Sequence, residues 1–550
     1  MTGGNTKLDA ARRALLHLAV HADALRAAPR AWLLAAWWRL CGKRLRSRSQ
    51  MAPLLGASPR AYRLWLMAQP EADKRPQPVD GPAIAALVED GPGIEKTLAS
   101  LRREGIEHVA APAATMRDAG HAAWIMPLQA GDLLAEGAGG AYRHAAAQAG
   151  PGTHLLYADD DIIGADGSRG KPHFKPDWNA DLFEHHDFLT GASLLRVSAS
   201  DLDDLPRRNR AEALTRRVLA RTAAEGAQPL HVRAILHHRC DRPAPIRPAP
   251  IRHAPIRQAA ARHDPSSAQP SVTIIVPTRN RIDLLRTCLQ GIADTRYAGA
   301  LDVIVIDNDS DDPEALAFLK GLEPGTARVL RHPGAFNFAA MNNRAVEQAT
   351  GRMVCLLNND IEISDPHWLE TLVRQALRPE VGAVGPQLLY PDGRIQHAGV
   401  VLGVGGGAAH AHRLLRPEEE GYFHRHALPQ LVSAVTAACL VAQRSRILDV
   451  GGMDERNFAV AFNDVDLCLK LNARGWQSFY EPRAALIHHE SVSRGLDRDP
   501  VGAARLAGEL AALKERWGTG LDPNDGGERV ADPFHHPQLS PFSERFVVRI

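Results

Sequence analysis

The chain has 550 residues, 45% of them hydrophobic and 23% charged, with Lys+Arg 65 set against Asp+Glu 63. That length holds about two to four domains, each able to bury a core. The balanced charge excludes the global positive field of a nucleic-acid-binding protein. The six cysteines (Cys41, Cys240, Cys288, Cys355, Cys439, Cys468) are scattered without CxxC spacing. They are expected to be reduced core residues, not a disulfide or zinc framework. No stretch reaches the roughly 18 apolar residues of a membrane span. Lys7, Asp9, Arg12 and Arg13 precede only a weak apolar stretch, which does not read as a signal peptide. A cytosolic protein is expected.

Residues 1–78 read as helical. Ala31 to Trp38 carries three tryptophans and is followed by Lys43, Arg44, Arg46 and Arg48. Such a run at 31–48 suits peripheral contact with the cytoplasmic face of the inner membrane, and it equally suits a packing helix with a solvated basic end. Residues 79–240 read as an α/β domain, with strands at Ile84–Val88, Ala122–Met126 and Leu155–Tyr157 and a helix over Ile94–Arg103. Asp159-Asp160-Asp161 has the composition of a metal site. Asp166-Gly167 close behind it favours a hairpin with the acidic residues in its turn region. Residues 241–270 contain three proline-rich five-residue repeats between Pro243 and Arg257. They read as a semi-rigid extended linker.

Residues 271–518 alternate strands and helices, the pattern of a doubly wound, mostly parallel α/β sheet. Strands are expected at Val272–Pro277, Val303–Asp307 and Met353–Leu357. Helices are expected from Pro313, capped by Asp312, from Phe338, and after Ser364 as a cap. Three strand ends carry polar groups: Pro277-Thr278-Arg279-Asn280-Arg281, Asp307-Asn308-Asp309-Ser310 and Asn358-Asn359-Asp360. Ligands bind outside the carboxyl ends of such strands. Asp360 is a hard oxygen donor suited to Mg²⁺ or Mn²⁺. There is no GxGxxG or GxxxxGK[ST]. Asn463 reads as an N-cap and Gly475 as the stop of the helix that carries Asp464 and Asp466. Two residues two apart diverge on a helix, so one aspartate is expected to do chemistry and the other to be structural. His488, His489 and Arg494 follow an apolar strand. A histidine can complete a metal shell and an arginine suits a phosphate oxygen. From Thr519 to 550 the chain reads as a loosely packed tail.

The region from Ser271 to about Asp497 resembles glycosyltransferase family 2, the inverting class with the GT-A fold, and is especially similar to rhamnosyltransferase-like enzymes of cell-surface polysaccharide and O-antigen assembly. The blocks that carry the resemblance are Val276–Arg281, Ile306–Ser310, Gly334–Asn343, Leu357–Asp360, Phe462–Asp466 and His488–Gly495. The resemblance implies a metal-dependent hexosyltransferase. It would move a sugar, such as rhamnose or another deoxyhexose, from a nucleotide-diphosphate sugar to a glycan or lipid-linked acceptor. Pro277, Thr278, Asn280, Asp307, Asn308, Asn342, Asn358, Asn359 and Arg494 would bind the nucleotide-sugar. Asp360, assisted by His488, would hold Mg²⁺ or Mn²⁺, and Asp464 would be the general base. The alternatives are a non-catalytic nucleotide-sugar or glycan-binding protein and a sugar nucleotidyltransferase. The latter would want a Gly-rich loop after the first strand.

Residues 79–240 resemble a degenerate GT-A-like copy. Its metal motif would fall at Leu128–Asp132, with one carboxylate left, and its acid pair near Ala211-Glu212-Ala213, where both aspartates are missing. First strand to metal position spans 48 residues here (84 to 132) against 88 in the later copy (272 to 360). A non-catalytic domain is expected, either acceptor-recognising or purely structural.

Overall fold

The structure, a computed structural model, describes residues 3–69, 81–109, 123–206, 209–248, 269–322, 326–489, 500–518 and 532–550. Four helices open the chain: α1 (Gly3–Ala27), α2 (Pro29–Leu40), α3 (Arg44–Gly56) and α4 (Ala61–Ala68). Two large sheets follow.

The first sheet is built from β1 (Ile84–Glu89), β2 (Glu107–His108), β3 (Ala123–Gln129), β4 (Leu133–Leu134), β5 (Leu155–Ile163), β6 (Arg169–His173), β7 (Ser193–Val197) and β8 (Leu230–Arg239). Its order is β2-β1-β3-β7-β5-β8-β4, with β6 on β5. The second contains β9 (Val272–Thr278), β10 (Leu301–Asp307), β11 (Arg328–Arg331), β12 (Met353–Leu357), β13 (Ile361–Glu362), β14 (Val381–Leu389) and β15 (Ile395–His397). It also includes β18 (Gln430–Val432), β19 (Cys439–Gln443) and β20 (Gln477–His488), while β16 (Val400–Leu402) and β17 (Ala408–His410) form a separate ribbon. Its order is β11-β10-β9-β12-β19-β14-β20-β13, with β15 on β14 and β18 on β20.

The two sheets repeat one topology. β1 lies parallel between β2 and β3, as β9 lies between β10 and β12. An antiparallel strand follows in each, β7 and β19, and then a parallel pair, β5 with β8 and β14 with β20. A two-residue strand closes the edge in both, with Leu133 opposite His238 and Ile361 opposite His488. Among the described residues, the first sheet has no counterpart of β11 or of the helices Pro313–Lys320 and Phe338–Gln348.

The second sheet is covered on both faces, which is why its strands read as unbroken apolar runs. Side chains alternate along each strand. Ile275, Ile304, Ile306, Val354 and Leu356 enter one core, where the helix Phe338–Gln348 contributes Ala339, Met341 and Ala345. Ile274, Val276, Val303, Val305 and Cys355 enter the opposite core against Leu285, Cys288 and Trp368 from the helices Ile282–Ala293 and Trp368–Ala376. Each such residue fully buried contributes about 1.5–3 kcal/mol.

Several local expectations hold. Asp312 caps its helix by accepting from the backbone N–H of Glu314 and Ala315. Gly475, at φ +86°, ends the helix Asn463–Ala473. Others are corrected. Ser364 is not a cap: the next helix begins after His367 without a side-chain cap, and Asp365 accepts from the His367 N–H. Asn463 is the first helical residue rather than the cap, and its amide donates to Val460 O. Cys41 and Cys240 are exposed, and only the other four cysteines are core residues.

Asp159, Asp160 and Asp161 belong to a hairpin, but they lie on β5 and not in its turn. All three are buried. Each meets basic side chains from distant segments: Asp159 meets His231 and His536, Asp160 meets Lys175 and Arg242, and Asp161 meets His238 and Arg169. The segment 532–550 is not loosely packed either. Leu539 and Phe546 join Tyr62, Trp65 and Phe174 in one apolar cluster. Asp532 accepts from Leu402 N and Ser433 Oγ, both at 2.7 Å. The expected linker is described only to residue 248, and there it is docked: Ile246 N–H donates to His185 O at 2.7 Å.

Candidate active site

β9, β10 and β12 run parallel and in register, with Asp307 opposite Thr278. Their carboxyl ends therefore open on one edge of the sheet. The helix Asn463–Ala473 and the end of β20 close the same space. The result is a cavity of about 660 Å³ lined by Pro277, Thr278, Asn280, Asn308, Asn358, Asn359, Asp360, Asp464 and His488, among others. Those nine sequence-expected residues are thus brought together from segments up to 211 positions apart.

Two expected residues among those described are not on that lining. Asp307 is buried behind it, accepting from Ser310 N–H at 3.0 Å and from Arg331 at 2.6 Å. Its carboxylate shapes the loop that presents Asn308. Asn342 is buried in its helix and donates to Phe338 O. Arg494 lies outside the described residues.

The amides mostly build the site. Asn280 adopts φ +60°, a conformation asparagine tolerates better than most residues. Its side-chain oxygen accepts from Asp311 and Asp312 N–H, which ties the ends of β9 and β10 together. Asn359 donates to Thr278 Oγ1 at 3.0 Å and ties the ends of β12 and β9.

Asp360 and His488 face each other, with Oδ1 and Nε2 3.0 Å apart. Both are buried, and this Asp360 oxygen has no hydrogen-bond partner. Neighbouring ligands about 2.1 Å from an octahedral ion lie about 3 Å apart. An unpartnered carboxylate oxygen and an imidazole nitrogen at that spacing fit two adjacent positions of one divalent cation. Asp464 also lines the cavity. Its Oδ2 accepts from Ala437 N–H at 3.1 Å and its Oδ1 from Val465 N–H at 2.8 Å, which aims the carboxylate. Asp466 diverges as expected: it is buried and held by Arg516 at 2.9 Å, Lys470 at 3.3 Å and the Trp517 indole at 3.0 Å.

Sequence reasoning missed Gln396 and His410, which also line the cavity. Gln396 Oε1 is 2.7 Å from His488 Nδ1, and His410 Nδ1 is 2.8 Å from His397 Nδ1. Neither residue stands in an apolar-to-polar strand end, the signal that marked the others.

The matching edge of the first sheet is filled from within. Asp132 precedes β4 as Asp360 precedes β13. It accepts from Cys240 N–H at 2.9 Å, and its other oxygen faces the buried Arg239 guanidinium at 3.9 Å. Burial pushes the Asp132 carboxyl up to about 6 despite that cation. Ala211, the second residue of the helix Arg210–Ala224 that leads into β8, stands where Asp464 stands in the helix that leads into β20.

Among the described residues, Asp159, His231 and His536 also converge within 4.8 Å. Both His231 nitrogens are already engaged. His231 meets Asp159 through Nε2 and Asp177 through Nδ1. His536 Nδ1 accepts from Gln538 N–H, so its Nε2 carries the proton and cannot ligate. This cluster fastens the C-terminal segment to the first sheet.

The model of glycosyl transferase family 2 matches residues 273–434. Over 434 residues the chain is 37% identical to the uncharacterized protein y4gI of Sinorhizobium fredii, covering 72% of this chain and 46% of that protein. Over 432 residues it is 37% identical to the O-antigen biosynthesis protein RfbC of Myxococcus xanthus, covering 71% of this chain and 32% of that one. It therefore spans less than half the length of either relative. It is 30% identical over 230 residues to the N-acetylglucosaminyl-diphospho-decaprenol L-rhamnosyltransferase of Mycobacterium tuberculosis, covering 38% of this chain and 71% of that enzyme. The family match falls on the sheet whose strand ends form the cavity, and the chain belongs to glycosyltransferase family 2.

Proposed function

We propose that the chain is a metal-dependent, inverting glycosyltransferase. It transfers a sugar, rhamnose or another deoxyhexose, from a nucleotide-diphosphate donor to a glycan or lipid-linked acceptor in cell-surface polysaccharide assembly. One observation carries the reading: the Asp360–His488 pair and Asp464 lie on the walls of one cavity. The names of the Myxococcus and Mycobacterium relatives support the polysaccharide assignment and the choice of sugar.

In this reading the strand ends at Thr278, Asn308 and Asn358 bind the nucleotide. Asp360 and His488 would hold Mg²⁺ or Mn²⁺, which would supply positive charge for a diphosphate leaving group. Asp464, fixed by two backbone N–H groups, takes the proton of the acceptor hydroxyl while that oxygen attacks the anomeric carbon opposite the leaving group. The first sheet has Arg239 beside Asp132 and alanine at position 211, and it serves as a non-catalytic unit. We propose the unit boundaries 79–240 and 271–518 for the two copies. A thermal-shift screen of nucleotide-sugars with and without Mn²⁺ tests the donor site. Stabilisation by one nucleotide class, lost in Asp360→Asn, is expected. Stabilisation that persists in Asp360→Asn would favour the non-catalytic binding protein.

The membrane reading of 31–48 also gains support. No helix among the described residues is long and apolar enough to cross a membrane. Leu33, Leu34, Trp37 and Leu40 fall on one face of α2, and all are exposed, Leu40 at 83%. Arg39, Lys43, Arg44 and Arg46 are exposed beside them, and no acidic residue occurs between Asp23 and Glu71. Such a face suits peripheral contact with anionic lipid. Co-sedimentation with phosphatidylglycerol vesicles, reduced in Trp37→Ser and absent with phosphatidylcholine, is the expected result.

A further inference from the structure

A histidine that shares a cation with Asp360 must present Nε2 as a lone pair. A neutral imidazole beside a carboxylate would otherwise take the other tautomer. Its Nε2–H would donate to Asp360 Oδ1 across the 3.0 Å that separates them. Both ligand atoms would then be spent on each other. The Asn358 amide nitrogen makes only a long contact with Nε2, at 3.4 Å, and what decides between the tautomers is the close partner of the second ring nitrogen.

That partner is Gln396, buried on β15, a strand attached to β14 and 92 positions from His488 in sequence. Its Oε1 lies 2.7 Å from His488 Nδ1. An amide oxygen only accepts, so the ring carries its proton on Nδ1 and points the Nε2 lone pair at the Asp360 side. The neighbouring His397 pairs with His410, so adjacent residues of β15 support different parts of the cavity. The first sheet holds its corresponding ring in the same way: His238 meets Asp161 Oδ1 through Nδ1 at 2.7 Å.

We propose that Gln396 is a positioning residue that selects the Nδ1–H tautomer of His488 and thereby makes Asp360 and His488 a pair of cation ligands. The inference rests on the reading of those two residues as the metal site.

The test is Mn²⁺ binding to the full chain, followed by electron paramagnetic resonance with UDP, dTDP and GDP each present in turn. Gln396→Met keeps the length of the side chain and removes the acceptor, and it is expected to weaken Mn²⁺ binding about 10–100-fold. Gln396→Glu keeps an acceptor and is expected to bind Mn²⁺ as tightly as the wild type or more so. Thermal melts confirm that each variant is folded. Where Gln396→Met does not fold, Gln396→Asn, which withdraws the amide by one methylene, takes its place with the same expectation. Undiminished Mn²⁺ binding in Gln396→Met, alongside its loss in His488→Ala, overturns the positioning role and leaves the metal site standing. No Mn²⁺ binding by the wild type with any of the three nucleotides overturns both.

Discussion

Replacing Lys175 with Met tests whether the first sheet is held by its internal charges. The Lys175 side chain is fully buried, with Nζ 2.8 Å from Asp160 Oδ2 and donating to Ala158 O at 2.6 Å. Burial alone would raise the Asp160 carboxyl, but Lys175, then Arg242 and Arg239, bring it down to about 2. Asp160 is therefore an anion in the core. Removing one partner of a buried pair costs about 3–5 kcal/mol, because the other charge stays behind. Arg242, 2.5 Å from Asp160, remains, which places the expected loss at the lower end, about 3 kcal/mol. For a unit of that size, 1 kcal/mol shifts the melting temperature by about 2–4 °C, so the transition should fall by about 6–12 °C. Differential scanning calorimetry of the full chain measures it. Adding Asp160→Asn to the Lys175→Met chain should restore part of the loss, since the orphaned charge is then gone. A melting profile of Lys175→Met that superimposes on the wild type would refute the reasoning.

Two further predictions concern the same framework. Burial pushes the imidazoles of His186 and His535 down to about 4 and about 3. Their folded pKa values lie below the unfolded value near 6.5, so the unfolded chain binds more protons on acidification and stability falls as pH drops below about 6.5. Each contributes a loss of about 2 kcal/mol at pH 5. His231 opposes this: burial lowers it, but Asp159 and Asp177 raise it overall, so its contribution is present in acid and lost as pH rises. His173, His237, His397 and His412 are also lowered by burial. The melting temperature should therefore be clearly lower at pH 5 than at pH 7, and equal values would count against these assignments. Asp532→Ala strips the acceptor from Leu402 N, Ser433 Oγ and Phe534 N. It should cost about 3 kcal/mol and speed proteolysis after residue 531, which limited digestion would detect.

The catalytic sheet was legible where local chemistry and burial agree. Val272–Pro277, Val303–Asp307 and Met353–Leu357 are apolar because both faces of the sheet are covered, and each ends in polar residues because the cavity begins there. The divergence of Asp464 and Asp466 was readable from helical geometry, although Asn463 proved to be the first helical residue and not the cap. What escaped depends on partners far along the chain. Asp159, Asp160 and Asp161 look like turn residues until His536, Arg242 and Arg169 are brought to them. A carboxylate triplet carries no sign of its distant partners. The segment 532–550 is polar and proline-rich, yet Leu539 and Phe546 fill a cluster with Tyr62 and Trp65 of α4, Phe174 and Val401. Gln396 has no local signature, because its role is defined only by a ring 92 positions away.

The central claim is that Asp464 acts as a base across the cavity from a cation held by Asp360 and His488. Its most direct test is turnover of nucleotide-diphosphate sugars with Mn²⁺ by the wild type, Asp464→Asn and Asp360→Asn. The wild type should hydrolyse or transfer one donor in a Mn²⁺-dependent way. Asp464→Asn should be slower by about 10²–10⁴-fold, with Mn²⁺ binding retained. Asp360→Asn should lose both turnover and Mn²⁺ binding, since its carboxylate is the only one in the motif Asn358-Asn359-Asp360. Turnover by Asp464→Asn at the wild-type rate, or no turnover by any of the three chains, would contradict the account.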